Sequence, residues 1–128
     1  MTTYRTPLAR VRGLGAAKHG VGDFIVQRVS GAALVLLLLW GVVSIVPLAR
    51  GGFDVAARWL HAPLNAAGLA LIVVVAVIHM QIGMREIIID YIERTATKAA
   101  LLVLNTFIAW FAGALGVLSV IIVAMGSR

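Results

Sequence analysis

"LALIVVVAVIHMQIGMREIIIDY", residues 69–91, decides the fold. Its first sixteen residues carry no Lys, Arg, Asp or Glu, and the run is far too long and too evenly apolar for a buried strand. It then closes on Arg85, Glu86, Asp90 and Tyr91. A stretch of this kind is a helix that crosses hydrocarbon and ends among headgroups. One residue is out of place in it. His79 lies inside the apolar part, where an imidazole needs a partner.

Working outward, charged residues are absent from residues 29–49, 59–84 and 99–127. Each window is at least as long as the roughly 20 residues that span a bilayer core. The whole chain of 128 residues is 62% hydrophobic and 12% charged. Its mean hydropathy is +1.04. A soluble domain of this size would be about a quarter charged. The predicted fold is an all-α membrane protein, one domain over residues 1–128. A leading segment covers 1–22, and three transmembrane helices fall at about 24–47, 63–91 and 98–125. Without cysteine, the chain forms no disulfide and holds no iron–sulfur cluster of its own.

The formal charge of +6 does not point to nucleic acid, because the basic residues are scattered between apolar runs and form no stripe. They set topology instead. Eight of the eleven Lys and Arg fall on one side: Arg5, Arg10, Arg12, Lys18, Arg28, Arg85, Arg94 and Lys98. Arg50, Arg58 and Arg128 fall on the other. The positive-inside rule places the N-terminus and second loop in the cytoplasm, and the first loop and C-terminus outside. The basic N-terminal stretch is similar to a transit peptide in composition but has no apolar region with a cleavage site. It is expected to stay on the chain as an irregular, glycine-rich surface segment. Asp23 is expected to cap the first span. Trp59 is expected to anchor an interfacial turn in the outer loop. In the third span the pairs Ala109/Gly113 and Ala112/Gly116 permit close helix packing.

If the second span is one unbroken helix, Gly83, Glu86 and Asp90 lie within about 40° of His79 around its axis. Gly83, one turn on, removes the side chain that would sit beside the imidazole, so a flat ligand could lie against the backbone. Tyr91 falls about 18 Å below His79 along the axis. Two readings of His79 stand. In one, it hydrogen-bonds a Ser, a Thr or a carbonyl of a neighbouring helix. In the other, neutral His79 coordinates a metal centre, with haem iron the first candidate. His19 and His61 lie outside the spans, so a second histidine ligand would come from another subunit.

The ordered set His79, Gly83, Asp90 and Tyr91, with "GVGDFIVQRVSG" at residues 20–31 before the first span, resembles the small hydrophobic anchor subunit of succinate dehydrogenase, respiratory complex II. The resemblance covers most of the chain. It implies a bundle with a second three-helix anchor, a cytochrome b556-type subunit, that jointly holds one haem b in a bacterial inner membrane. It also implies docking of the iron–sulfur subunit and the flavoprotein subunit, with succinate oxidised on the flavoprotein and electrons delivered to quinone. By position, His79 matches the axial haem ligand and Gly83 the residue packed beside the haem. Arg28 matches a basic residue near the haem propionates, although snorkelling to the interface would place it equally well. Tyr91 matches the quinone hydrogen-bond donor, and Asp90 the acid beside it. At Gly22–Asp23 the chain departs from members that carry His-Asp, and no role of that histidine transfers.

The chemistry suits these positions. Quinone reduction consumes two electrons and two protons, so its site belongs near water. A phenol is a neutral donor that can strengthen its bond as charge grows on a carbonyl oxygen. Two rivals are a fumarate reductase anchor, which runs the same chemistry in reverse, and a non-redox scaffold or small transporter subunit. A transporter needs a polar path, yet Ser44, Asn105 and Ser119 are scattered.

Overall fold

The computed structural model describes residues 6–13 and 20–126, apart from the side chains of Ala9 and Arg10. Five helices follow in order: α1 (Pro7–Arg12), α2 (Val21–Leu48), α3 (Gly52–Leu60), α4 (Pro63–Tyr91) and α5 (Thr95–Met125). Three of them, α2, α4 and α5, are long and apolar enough to cross a membrane. With 28, 29 and 31 residues, they are about 42–46 Å long at 1.5 Å per residue. That exceeds the roughly 30 Å of hydrocarbon to be crossed. The helical state itself is forced, because lipid offers no partner for an exposed peptide group.

Two expectations change here. Part of the segment expected to be irregular is helical: α1 begins at Pro7, which suits a first helical position. Arg5, Lys18, His19 and Arg128 lie outside the described residues. The turn expected around Trp59 is the helix α3, with Asp54 in its first turn and Arg58 in its last, each opposite in sign to the local dipole. Trp59 stacks on Trp40 of α2, ring centroids 5.7 Å apart.

The long helices alternate in direction, with α4 in the middle, packed on α5 along one flank and on α2 along the other. One end of the bundle gathers Val21, Tyr91 and Thr95; the other gathers Leu48, α3, Pro63 and Met125. At this second end His61 Nδ1 lies 3.0 Å from the carbonyl of Ala124, and Asn65 donates to the carbonyl of Trp59 at 2.8 Å. The α4–α5 contact rests on small residues. Ala109 is 2% exposed. Gly113 faces Val77, and Gly116 faces Val73 so closely that a Cβ there would stand 2.7 Å from a Val73 methyl. Ala112 is exposed, so the small-residue face is 109, 113 and 116. Asn105, buried in the same contact, donates to the carbonyl of Gln81 at 2.9 Å. Ser119 returns its hydroxyl to Leu115 of its own helix.

Candidate functional site

The α2–α4 contact carries the polar groups. "GDFIVQRVSG" places Asp23, Gln27 and Ser30 four and three residues apart, one stripe of a helix. The stripe faces α4. Asp23 binds Arg85 at 2.7 Å, an ion pair at the Tyr91 end of the seam. Asp23 lies inside the first turn of α2, whose cap position is Gly20 at φ 123°, so its carboxylate serves the neighbouring helix rather than capping its own. Deeper in, His79 meets both remaining members. Its Nδ1 is 3.0 Å from Ser30 Oγ, and its Nε2 is 3.4 Å from Gln27 Nε2. Ser30 is buried and Oγ also donates to the Gln27 carbonyl at 3.2 Å.

Glycines shape this contact, at positions other than the expected one alone. A Cβ on Gly31 would stand 3.3 Å from His79 Cε1, so Gly31 is the residue that admits the imidazole. A Cβ on Gly83 would stand 3.2 Å from Gln27 Nε2. The room beside His79 that Gly83 leaves is therefore taken by the Gln27 amide. The Oε1 of that amide is buried without a hydrogen-bond partner, an arrangement that native interiors rarely keep without a use.

The other predicted residues lie apart from His79. Arg28 is exposed, its guanidinium 5.1 Å from the centre of the Phe24 ring. Asp90 and Tyr91 end α4, both exposed, Tyr91 to 79%. Because α4 is continuous, Tyr91 lies about 18 Å from His79 along the axis. Lys98 of α5 reaches back to the carbonyl of Ile89 at 2.9 Å and closes the end of α4 just before the pair. Among the described residues no three His, Asp or Glu side chains gather as a metal site. An open apolar groove of about 720 Å³ lies on the opposite flank of α4, along Val74, Val77, Gln81 and Trp110, away from His79.

Residues 2–124 match the profile of the Succinate dehydrogenase/Fumarate reductase transmembrane subunit family. The chain belongs to that family. Among curated relatives, the succinate dehydrogenase hydrophobic membrane anchor subunit of Rickettsia conorii is 26% identical over 102 residues, covering 79% of this chain and 81% of that protein. The subunit of the same description from Rickettsia bellii is 25% identical over 100 residues, covering 78% and 80%. Membership in the anchor family accounts for three apolar helices with so little of their own surface covered: 11%, 6% and 11% of the most apolar window of each span is buried within the chain.

Reading from sequence missed Gln27, Ser30, Gly31 and Arg85. The stripe 23, 27, 30 was available as a signal, since three polar residues at helical spacing lead an otherwise apolar span.

Proposed function

We propose that this chain is the haem b- and quinone-binding anchor of a succinate:quinone oxidoreductase in a bacterial inner membrane, its Tyr91 end toward the cytoplasm. It docks the flavoprotein and iron–sulfur subunits beside a cytochrome b556-type partner, and the succinate site lies on another subunit. The observation that carries the reading is His79, held in the α2–α4 seam next to a buried amide oxygen without a partner. The residues fit a haem: a neutral imidazole suits iron, Gly31 clears one edge of the ring, and Gln27 is a side chain that can turn away. His79 would supply one nitrogen ligand and a partner subunit the other, with Gly83 and Arg28 among the residues that would hold the group. Bound there, haem b would supply a one-electron carrier within the anchor.

Tyr91 would donate its phenolic hydrogen to a quinone carbonyl, with Asp90 to guide protons at the water edge. The hydrogen bond between His79 and Ser30 favours a second reading, a histidine that merely ties two helices together.

A reduced-minus-oxidised spectrum of the assembled complex decides between them. His79→Leu should abolish or alter a low-spin b-type signal; an unchanged signal in an assembled variant makes His79 structural. In the same membranes, Tyr91→Phe should lower the quinone-linked rate about tenfold to a hundredfold, if the bond is worth roughly 1–3 kcal/mol. The rate to a dye that takes electrons upstream should hold. An unchanged ratio removes Tyr91 from the quinone site.

A further inference from the structure

We infer that Ser30 fixes His79 in the tautomer protonated on Nδ1, so that the Nε2 lone pair faces Gln27, whose amide holds the place of the centre that this nitrogen binds. Ser30 is thereby a positioning residue for His79.

Hydrogen bookkeeping gives the tautomer. Ser30 Oγ is 3.2 Å from the Gln27 carbonyl and 3.0 Å from His79 Nδ1. A hydroxyl has one hydrogen to donate, and a carbonyl oxygen only accepts. The hydroxyl hydrogen therefore goes to the carbonyl, and Oγ accepts from Nδ1–H. A neutral imidazole carries one N–H, which leaves Nε2 with its lone pair. Opposite that lone pair, at 3.4 Å, stands the NH2 group of Gln27, a donor. One arrangement of protons thus satisfies all three contacts. The reverse tautomer sets Nε2–H against an NH2 group and takes the Ser30 hydrogen away from the carbonyl. Turning the amide over would relieve the first conflict by setting Oε1 against Nε2–H, and the tautomer measurement below distinguishes the two arrangements.

The same geometry marks Gln27 as displaceable. A separation of 3.4 Å is long for a hydrogen bond. The amide keeps it while its Oε1 is buried without a partner. Swinging away from His79 forfeits a weak contact and lets that oxygen find a better one. What then faces the open side of Nε2 is an electron-pair acceptor. A ligating histidine that donates its other N–H to a fixed acceptor is held in ring orientation and made more basic. Ser30 does this from α2, with Gly31 giving the Cε1–Nδ1 edge of the ring room beside that helix.

The tautomer part stands without haem; the positioning part rests on reading His79 as the axial ligand. The test therefore has two readouts. In the full chain in lipid nanodiscs, with isotope-labelled histidine, the ring-nitrogen NMR shifts of His79 are identified by their loss in His79→Leu. Nδ1 should be protonated and Nε2 bare in the wild type and in Ser30→Thr, and a mixture should form in Ser30→Ala. A wild-type ring protonated on Nε2, or no change in Ser30→Ala, overturns the inference. The wild-type shifts alone are decisive if the alanine variant folds poorly. In the assembled complex, Ser30→Ala should raise the midpoint potential of the b-type centre, because the imidazole becomes a poorer electron donor, while Ser30→Thr should restore it. A potential that does not move refutes the positioning role. A b-type signal left unchanged by His79→Leu refutes the ligand reading instead and leaves the tautomer result standing.

Discussion

Helix α4 meets its two neighbours by different means. Toward α5 it offers valines to a face of Ala109, Gly113 and Gly116, and Val73 and Val77 fill the space that the missing side chains leave. Toward α2, in the half near Tyr91, it offers His79 and Arg85 to Ser30, Gln27 and Asp23. In lipid, apolar side chains gain nothing by leaving one hydrocarbon for another, so helices associate through packing and hydrogen bonds. The α5 contact is chiefly the packing solution, with one buried hydrogen bond, Asn105 to the Gln81 carbonyl, added to it. The α2 contact is the polar one, and it leaves an amide oxygen unpaired and an ion pair part-exposed. A seam built only to hold helices together would have little reason to keep these groups. Close packing thus dominates one flank of α4; on the other the polar groups gather, the proposed ligand His79 among them, beside the close contacts of Gly41 with Ile72 and Gly68 with Trp40.

The sharpest way to break the packing flank is a single methyl group. At Gly116 it would sit 2.7 Å from Val73 Cγ1, and a β-branched side chain has little freedom to yield. At Gly113 it would sit 3.5 Å from Val77, an ordinary contact. Gly116→Ala should therefore destabilise the α4–α5 pair by about 1–3 kcal/mol, while Gly113→Ala changes little. Thermal unfolding of the purified chain in detergent measures both. Equal effects would mean that α5 can shift along α4 and that packing does not set its position.

A smaller effect is expected from the polar tie on this same flank. Asn105→Ala removes the bond to the Gln81 carbonyl. Interhelical hydrogen bonds in membranes average about 0.6 kcal/mol and reach about 1.7. The loss should fall in that range, below that of Gly116→Ala, in the same unfolding measurement. A loss larger than that of Gly116→Ala would make the flank polar in its energetics and erase the contrast.

The contrast also governs what sequence could reveal. The spans were legible because the absence of charge over twenty or more residues has one physical meaning. Their ends moved by a few residues where side chains decide the matter: α5 starts at Thr95, ahead of Lys98, whose ammonium turns back to α4 and so belongs in a helix. His79, Asp90 and Tyr91 were legible as candidates because ionisable groups in or beside an apolar helix are costly. What they touch was not. Gln27 and Ser30 look unremarkable until the rotation of α2 against α4 is known, and that rotation is a property of the pair. Gly83 shows the limit well: the space beside His79 was readable, but its filling by Gln27 was not.

The smallest effect belongs to the Asp23–Arg85 pair. It closes the α2–α4 seam at the Tyr91 end at 2.7 Å, yet the Arg85 and Asp23 side chains are 42% and 36% exposed. Partly exposed pairs are worth about 0.2–1 kcal/mol. A double-mutant cycle with Asp23→Asn and Arg85→Met isolates the coupling, since methionine keeps much of the apolar stem. The coupling should lie in that range at low ionic strength and shrink as salt is raised, because screening reaches charges near water. Asn105→Ala, buried on the other flank, should show no such salt dependence. A coupling above 2 kcal/mol that salt leaves unchanged would place the pair out of reach of water, and the Tyr91 end of α4 would then be sealed rather than open to a quinone headgroup and its protons.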